Sequence, residues 1–195
     1  MANDSGRPAA EQVWAELLEG NGRWQRDERE SPHCSASARE AAVAGQAPAA
    51  MILSCADSRV PAELLFDQGV GDLFVTRTAG QVVDDAVAGT LAYGSGALGI
   101  GLLVVLGHSH CGAVKAALGV AAGGEEPFPP ALASLVGAIV PVCEGADLPT
   151  AVDANVRRIV AQLTDQPGLA EAVADGRLTI VGARYDLETG GVVQV

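Results

Sequence analysis

With 195 residues, the chain is long enough for one domain with its own core, and its 24 acidic against 12 basic side chains give a formal net charge of −12. A surface this acidic repels phosphate backbones and anionic lipid, which sets nucleic acid and membranes aside as partners. No apolar run approaches the roughly 20 residues that span a bilayer, and the start MANDSGRPAAEQVW lacks the basic and apolar segments of a secretory signal, so a cytoplasmic location is expected.

Residues 8–26 read as a leading helix with Val13, Trp14, Leu17 and Leu18 on one stripe. A polar loop over 28–38 and a short helix over 38–45 follow. Residues 50–54, 73–77 and 102–106 are continuous apolar runs of the kind a parallel sheet buries on both faces. Helices are expected over 61–67, 84–98 and 112–120, and Pro61 suits a first helical turn because its missing N–H is not needed there. The breaker-dense stretch 123–130 is a loop. A helix over 131–143 comes next, then one over 149–163 with Val152, Val156, Ile159, Val160 and Leu163 on one face. Residues 178–182 make a fourth strand, and 191–195 a short edge strand. The alternation predicts an α/β fold: one domain over 1–195, with a central, mostly parallel β-sheet flanked by helices and an extending N-terminal helix.

Two segments carry chemistry: Ser54-Cys55-Ala56-Asp57-Ser58-Arg59 and His108-Ser109-His110-Cys111-Gly112. Each follows an expected strand, and the carboxyl ends of parallel strands share one edge, where ligands bind. Cys55, His108 and Cys111 can therefore converge. Two thiolates and one imidazole suit zinc, and three protein ligands leave the fourth tetrahedral position open, as in catalytic sites. Asp57 can orient a water or hydroxide, and Arg59 can hold Asp57 ionised by a two-pronged pair. Taken singly, these cysteines would be ordinary core residues and the Asp–Arg pair a helix-start contact; together they point to a metal site.

CADSRV followed by GHSHCGAV resembles the paired motifs of the β-class carbonic anhydrases, and the likeness runs on through 59–80 and 181–192. That resemblance implies one Zn²⁺ per chain on Cys55, His108 and Cys111, and reversible hydration of CO₂ to bicarbonate and a proton by zinc-bound hydroxide. It also implies an Asp57–Arg59 dyad. Gln46 would bind substrate across a subunit interface, and Phe74 and Tyr93 would line an apolar slot for CO₂. A homodimer or homotetramer is implied, with the arm 1–37 packing on a partner subunit. Thr78 and Gln81 stand where the family often has Asn, Ala92 where Glu is common, and Ile52 where a bicarbonate-inhibited subgroup has Trp.

Other readings belong beside this one. The same site could hydrolyse CS₂ or COS, and a protein of a different class would use the cysteines in a non-catalytic structural zinc or redox role. The G-x-G-x-x-G at 94–99 closes a helix instead of opening one, so it is not a dinucleotide site. His110 is either a proton shuttle or an exposed neighbour of His108.

Overall fold

The computed structural model of the chain describes residues 8–124 and 128–195. Its centre is a five-stranded sheet in the order β2-β1-β3-β4-β5, made of β1 (Ala50–Cys55), β2 (Leu73–Thr78), β3 (Leu102–His108), β4 (Thr179–Tyr185) and β5 (Val192–Gln194). The first four strands run parallel, and β5 returns antiparallel on β4. Every residue of β1 and β3 is buried, while β2 at the edge is mostly half-buried. That is the pattern of a parallel sheet covered on both faces. The α/β architecture is the one the sequence predicts.

The helices are α1 (Ala10–Gln25), α2 (Ala36–Ala41), α3 (Ala62–Leu65), α4 (Asp85–Gly96), α5 (Gly112–Ala121), α6 (Pro130–Gly137), α7 (Leu148–Thr164) and α8 (Ala170–Ala174). Side-chain caps fix three starts: Ser35, Asp84 and Asp147 accept from the backbone N–H of Ala38, Val87 and Thr150. The Ser35 cap is why the helix expected from residue 38 begins two residues earlier. The helix expected over 131–143 is broken: α6 ends at Gly137, and Pro141, which has no N–H to donate, sits in a separate 3-10 turn, Val140–Val142. The five-residue α8 was not foreseen, being too short to show a period. Of the expected loop 123–130, residues 125–127 lie outside the described residues.

One face of the sheet is covered by α1 and α3, with Val13, Leu17, Leu65 and Phe66 packed on Ile52, Val104 and Val181. Burying Val13 and Leu17 contributes roughly 3–6 kcal/mol together. Polar ties reinforce this face. Asn21 donates to the carbonyls of Leu65 (3.0 Å) and Gly190 (2.9 Å) and accepts from Val192 N–H (2.9 Å). Arg23 pairs with the buried Asp67 at 2.7 Å. The arm helix thus has a docking face within its own chain.

On the other face, α4, α7 and α8 pack against Met51, Leu53, Leu103 and Val105. Helix α7 comes so close to β3 that a Cβ on Gly107 would meet Val156 at 2.5 Å, so only glycine fits there. The chain steps from β1 outward to β2, then returns to the opposite side of β1 for β3. The loops after β1 and β3 therefore diverge, and the crevice between them is where an open α/β sheet binds ligands.

Candidate metal centre

Cys55 is the last residue of β1 and His108 the last residue of β3, so each sits at the rim of that crevice. The strands reach further than the apolar runs suggest, because the ladder bonds continue through the polar ends: Cys55 pairs with Thr78, and His108 with Tyr185. After His108 the backbone turns sharply, with His110 in the left-handed region at φ 57°. The turn brings Cys111, the residue capping α5, back toward the rim.

The ligand atoms of Cys55, His108 and Cys111 all lie within 4.8 Å of one another, and all three residues are buried. Ligands bound at zinc's usual distances around one tetrahedral centre stand about 3.5–3.8 Å apart, so the three atoms are close enough to share an ion. His108 supplies the sharper test of fit. Its Nδ1 lies 2.8 Å from the carbonyl of Ser109, which can only accept, so Nδ1 carries the proton and Nε2 the lone pair. That buried Nε2 has no hydrogen-bond partner among the described residues. A metal supplies the missing partner, and a carbonyl on the far nitrogen is the usual way a ligating imidazole is held.

The sulfurs are also prepared. The Cys111 thiol beside Cys55, together with the N–H of Gly80 at 3.3 Å, pulls the Cys55 pKa down. The same pairing pushes the Cys111 thiol up, against the pull of the Ala113 and Val114 N–H groups at the start of α5. A coordinated dication leaves both sulfurs as thiolates, because a thiol bound to such a metal is deprotonated outright. Around them lie apolar side chains from Val114, Val136, Ile139 and Val152. No fourth Cys, His or carboxylate joins the group among the described residues. Cys143 is buried elsewhere in that cluster with its thiol 3.6 Å from the Ile139 carbonyl, and Cys34 is exposed.

Asp57 stands at the rim, its Oδ2 4.0 Å from His108 Nε2. Arg59 grips it through Nε (2.9 Å) and Nη2 (2.7 Å), and the Arg59 backbone N–H adds a third bond at 2.9 Å. The guanidinium holds the Asp57 carboxyl well below the usual carboxylate range. Sequence reasoning missed Arg77, whose guanidinium, reaching over from β2, donates to the backbone carbonyls of both Cys55 and Asp57. It clamps the loop that carries them. Its signal was slight: one charge at the end of an apolar strand.

Phe74 on β2 and Tyr93 on α4 come together, ring centres 6.3 Å apart; Phe74 is half-buried and Tyr93 is 52% exposed. Gln46 is exposed and lines a groove with Gly45, Val70 and Asp72 that shares no residue with the metal cluster. His110 lies exposed, 3.4 Å from Glu188.

Comparison with known proteins extends over most of the chain. A family profile described as carbonic anhydrase matches residues 50–192. Carbonic anhydrase 2 of Mycobacterium tuberculosis is 40% identical over 188 residues, covering 93% of this chain and 90% of that one. The carbonic anhydrase of Mycolicibacterium smegmatis is 40% identical over 187 residues, covering 92% and 90%. Among solved structures, the Coccomyxa β-carbonic anhydrase in complex with acetazolamide superposes with a TM-score of 0.71 at 28% identity, covering 92% of this chain and 84% of that one.

Proposed function

The chain belongs to the β-carbonic anhydrase family, and from that premise we propose that it catalyses the reversible hydration of CO₂ to bicarbonate and a proton. Cys55, His108 and Cys111 hold one Zn²⁺, and the carrying observation is the buried, unpartnered Nε2 of His108 beside two sulfurs. Bound there, zinc would act as a Lewis acid and supply a nucleophile at workable pH.

The chain's own residues do the rest. Asp57, kept ionised by Arg59, can only accept a hydrogen bond, so it orients a donor at the rim and disfavours groups that cannot donate. Arg77 fixes the backbone on which Asp57 rides. Phe74 and Tyr93 form the apolar wall of a slot for a small, uncharged, linear molecule, and Gln46 donates to substrate from a neighbouring subunit. The exposed position of Gln46, in a groove that shares no residue with the metal cluster of its own chain, supports that reading. We place the protein in the cytoplasm as a homodimer or homotetramer with the arm 1–37 against a partner. Thiolate ligands favour a reducing compartment, the described cysteines are all free, and no helix among the described residues is long and apolar enough to cross a membrane.

Stopped-flow CO₂ hydration by the zinc-replete protein tests the reading, with CS₂ and COS run alongside. Turnover of CO₂ that disappears in Cys55→Ser supports it; turnover of CS₂ or COS alone, or none of the three, contradicts it.

A further inference from the structure

Helix α7 turns an apolar stripe toward the sheet, with Val152, Val156, Ile159 and Leu163 all buried, and Asn155 lies among them fully buried as well. An amide in such a place is unfavourable unless it is bonded. Its Nδ2 donates to the carbonyl of Gly80 at 3.0 Å, while its Oδ1 has no hydrogen-bond partner among the described residues. Only the donor half of the side chain is in use.

The other end of Gly80 faces the metal centre, where its N–H donates to Cys55 Sγ at 3.3 Å. Gly80 adopts φ 63°, ψ 21°, and Gln81 after it has φ 48°, so two successive residues are left-handed. A Cβ on Gly80 would meet Ile139 at 2.6 Å and Ala113 at 3.1 Å, which restricts the position to glycine. Glycine is also the residue least able to hold its own backbone in place. Something outside the loop has to fix where that N–H points.

We propose that Asn155 is a positioning residue for the metal ligand Cys55: by anchoring the Gly80 carbonyl it aims the Gly80 N–H at the Cys55 sulfur. An N–H on a thiolate draws charge away from the sulfur. Two thiolates already cancel the formal charge of a bound dication, so this hydrogen bond, with those from Ala113 and Val114 to the other sulfur, adjusts how much positive character the metal retains. Asn155 thereby tunes the centre from a helix that supplies no ligand. The inference rests on metal binding at Cys55, His108 and Cys111.

The test uses the full chain with Co²⁺ in place of zinc, reading the thiolate-to-cobalt charge-transfer band and the rate at which a chelator removes the metal. Asn155→Leu keeps the branched shape and removes the donor. It shifts the band and accelerates metal loss by about 10-fold, the low end for losing a partner behind a ligand. Asn155→Ser, whose hydroxyl is too short to reach Gly80, gives the same shift and serves if the leucine variant does not fold. Ile159→Val, on the same buried stripe, lowers stability yet leaves band and rate at wild-type values. A wild-type band and rate in either Asn155 variant overturns the proposal, as does an equal change in Ile159→Val. A wild-type protein with no thiolate band overturns the metal assignment itself, and this inference with it.

Discussion

Two buried asparagines show how differently the two ends of this molecule are made. Asn21, under the arm helix, uses both donor hydrogens and its oxygen, tying α1 to α3 and to the β4–β5 turn. Asn155, behind the metal rim, makes one bond and leaves its oxygen without a partner among the described residues. The rim shares that incompleteness: His108 Nε2 and Gln81 Oε1 are buried and unpartnered too. Buried polar atoms are normally paired, and unpaired ones raise the energy of the folded state. The arm face is therefore built for stability, whereas the rim accepts instability to keep groups ready for an ion.

The comparison breaks down if substitutions at the rim act mainly on stability. The largest expected effect is that of His108→Ala, which removes a ligand: stoichiometric zinc is lost and CO₂ hydration falls to background, more than the roughly 10–100-fold expected for losing a supporting partner. Metal analysis of the purified variant, beside a urea titration, checks this. Asp57→Ala comes next. Zinc stays bound, and kcat falls by about 100-fold, the low end for a positioned acid–base group; unchanged kcat would remove Asp57 from the reaction.

On the arm face the signs reverse. Asn21→Leu leaves two carbonyls and one N–H without partners and costs about 3 kcal/mol, while zinc content stays at one per chain. A loss of zinc in that variant would erase the distinction between the regions. Asp67→Asn is milder, about 1.5 kcal/mol at pH 7, and it sharpens the comparison through pH. Burial alone would raise the Asp67 carboxyl, but Arg23 and the N–H groups of Glu30 and Ser31 hold it below its ordinary value. A depressed carboxylate stabilises the fold fully above its ordinary pKa and loses that contribution as pH falls through the folded value. Wild type should therefore lose urea resistance below pH about 4 more steeply than Asp67→Asn. Parallel curves would contradict the assignment.

The same division explains what the sequence made legible. Met51–Leu53 and Leu103–Leu106 announce central strands because both of their faces are buried, and chemistry-bearing residues straight after such runs must meet at one edge. Cys55, His108 and Cys111 were readable for that reason. The strand ends were not: Cys55, Thr78 and His108 look like loop, although the ladder continues through them. Arg77 was illegible as a clamp because its partners are backbone carbonyls, which no side-chain pattern reveals. Asn155 drew no notice in the sequence, since its meaning depends on Gly80, which is 75 residues away in the chain. The break between α6 and the 3-10 turn was written in Gly137 and Pro141, but apolar residues on both sides masked it.

Zinc-edge X-ray absorption on the purified native protein, with metal analysis, tests the central claim most directly. The account predicts one zinc per chain with two sulfur and two lighter neighbours, one of them an imidazole nitrogen. Substoichiometric zinc, or a shell with one, three or four sulfurs, would contradict it.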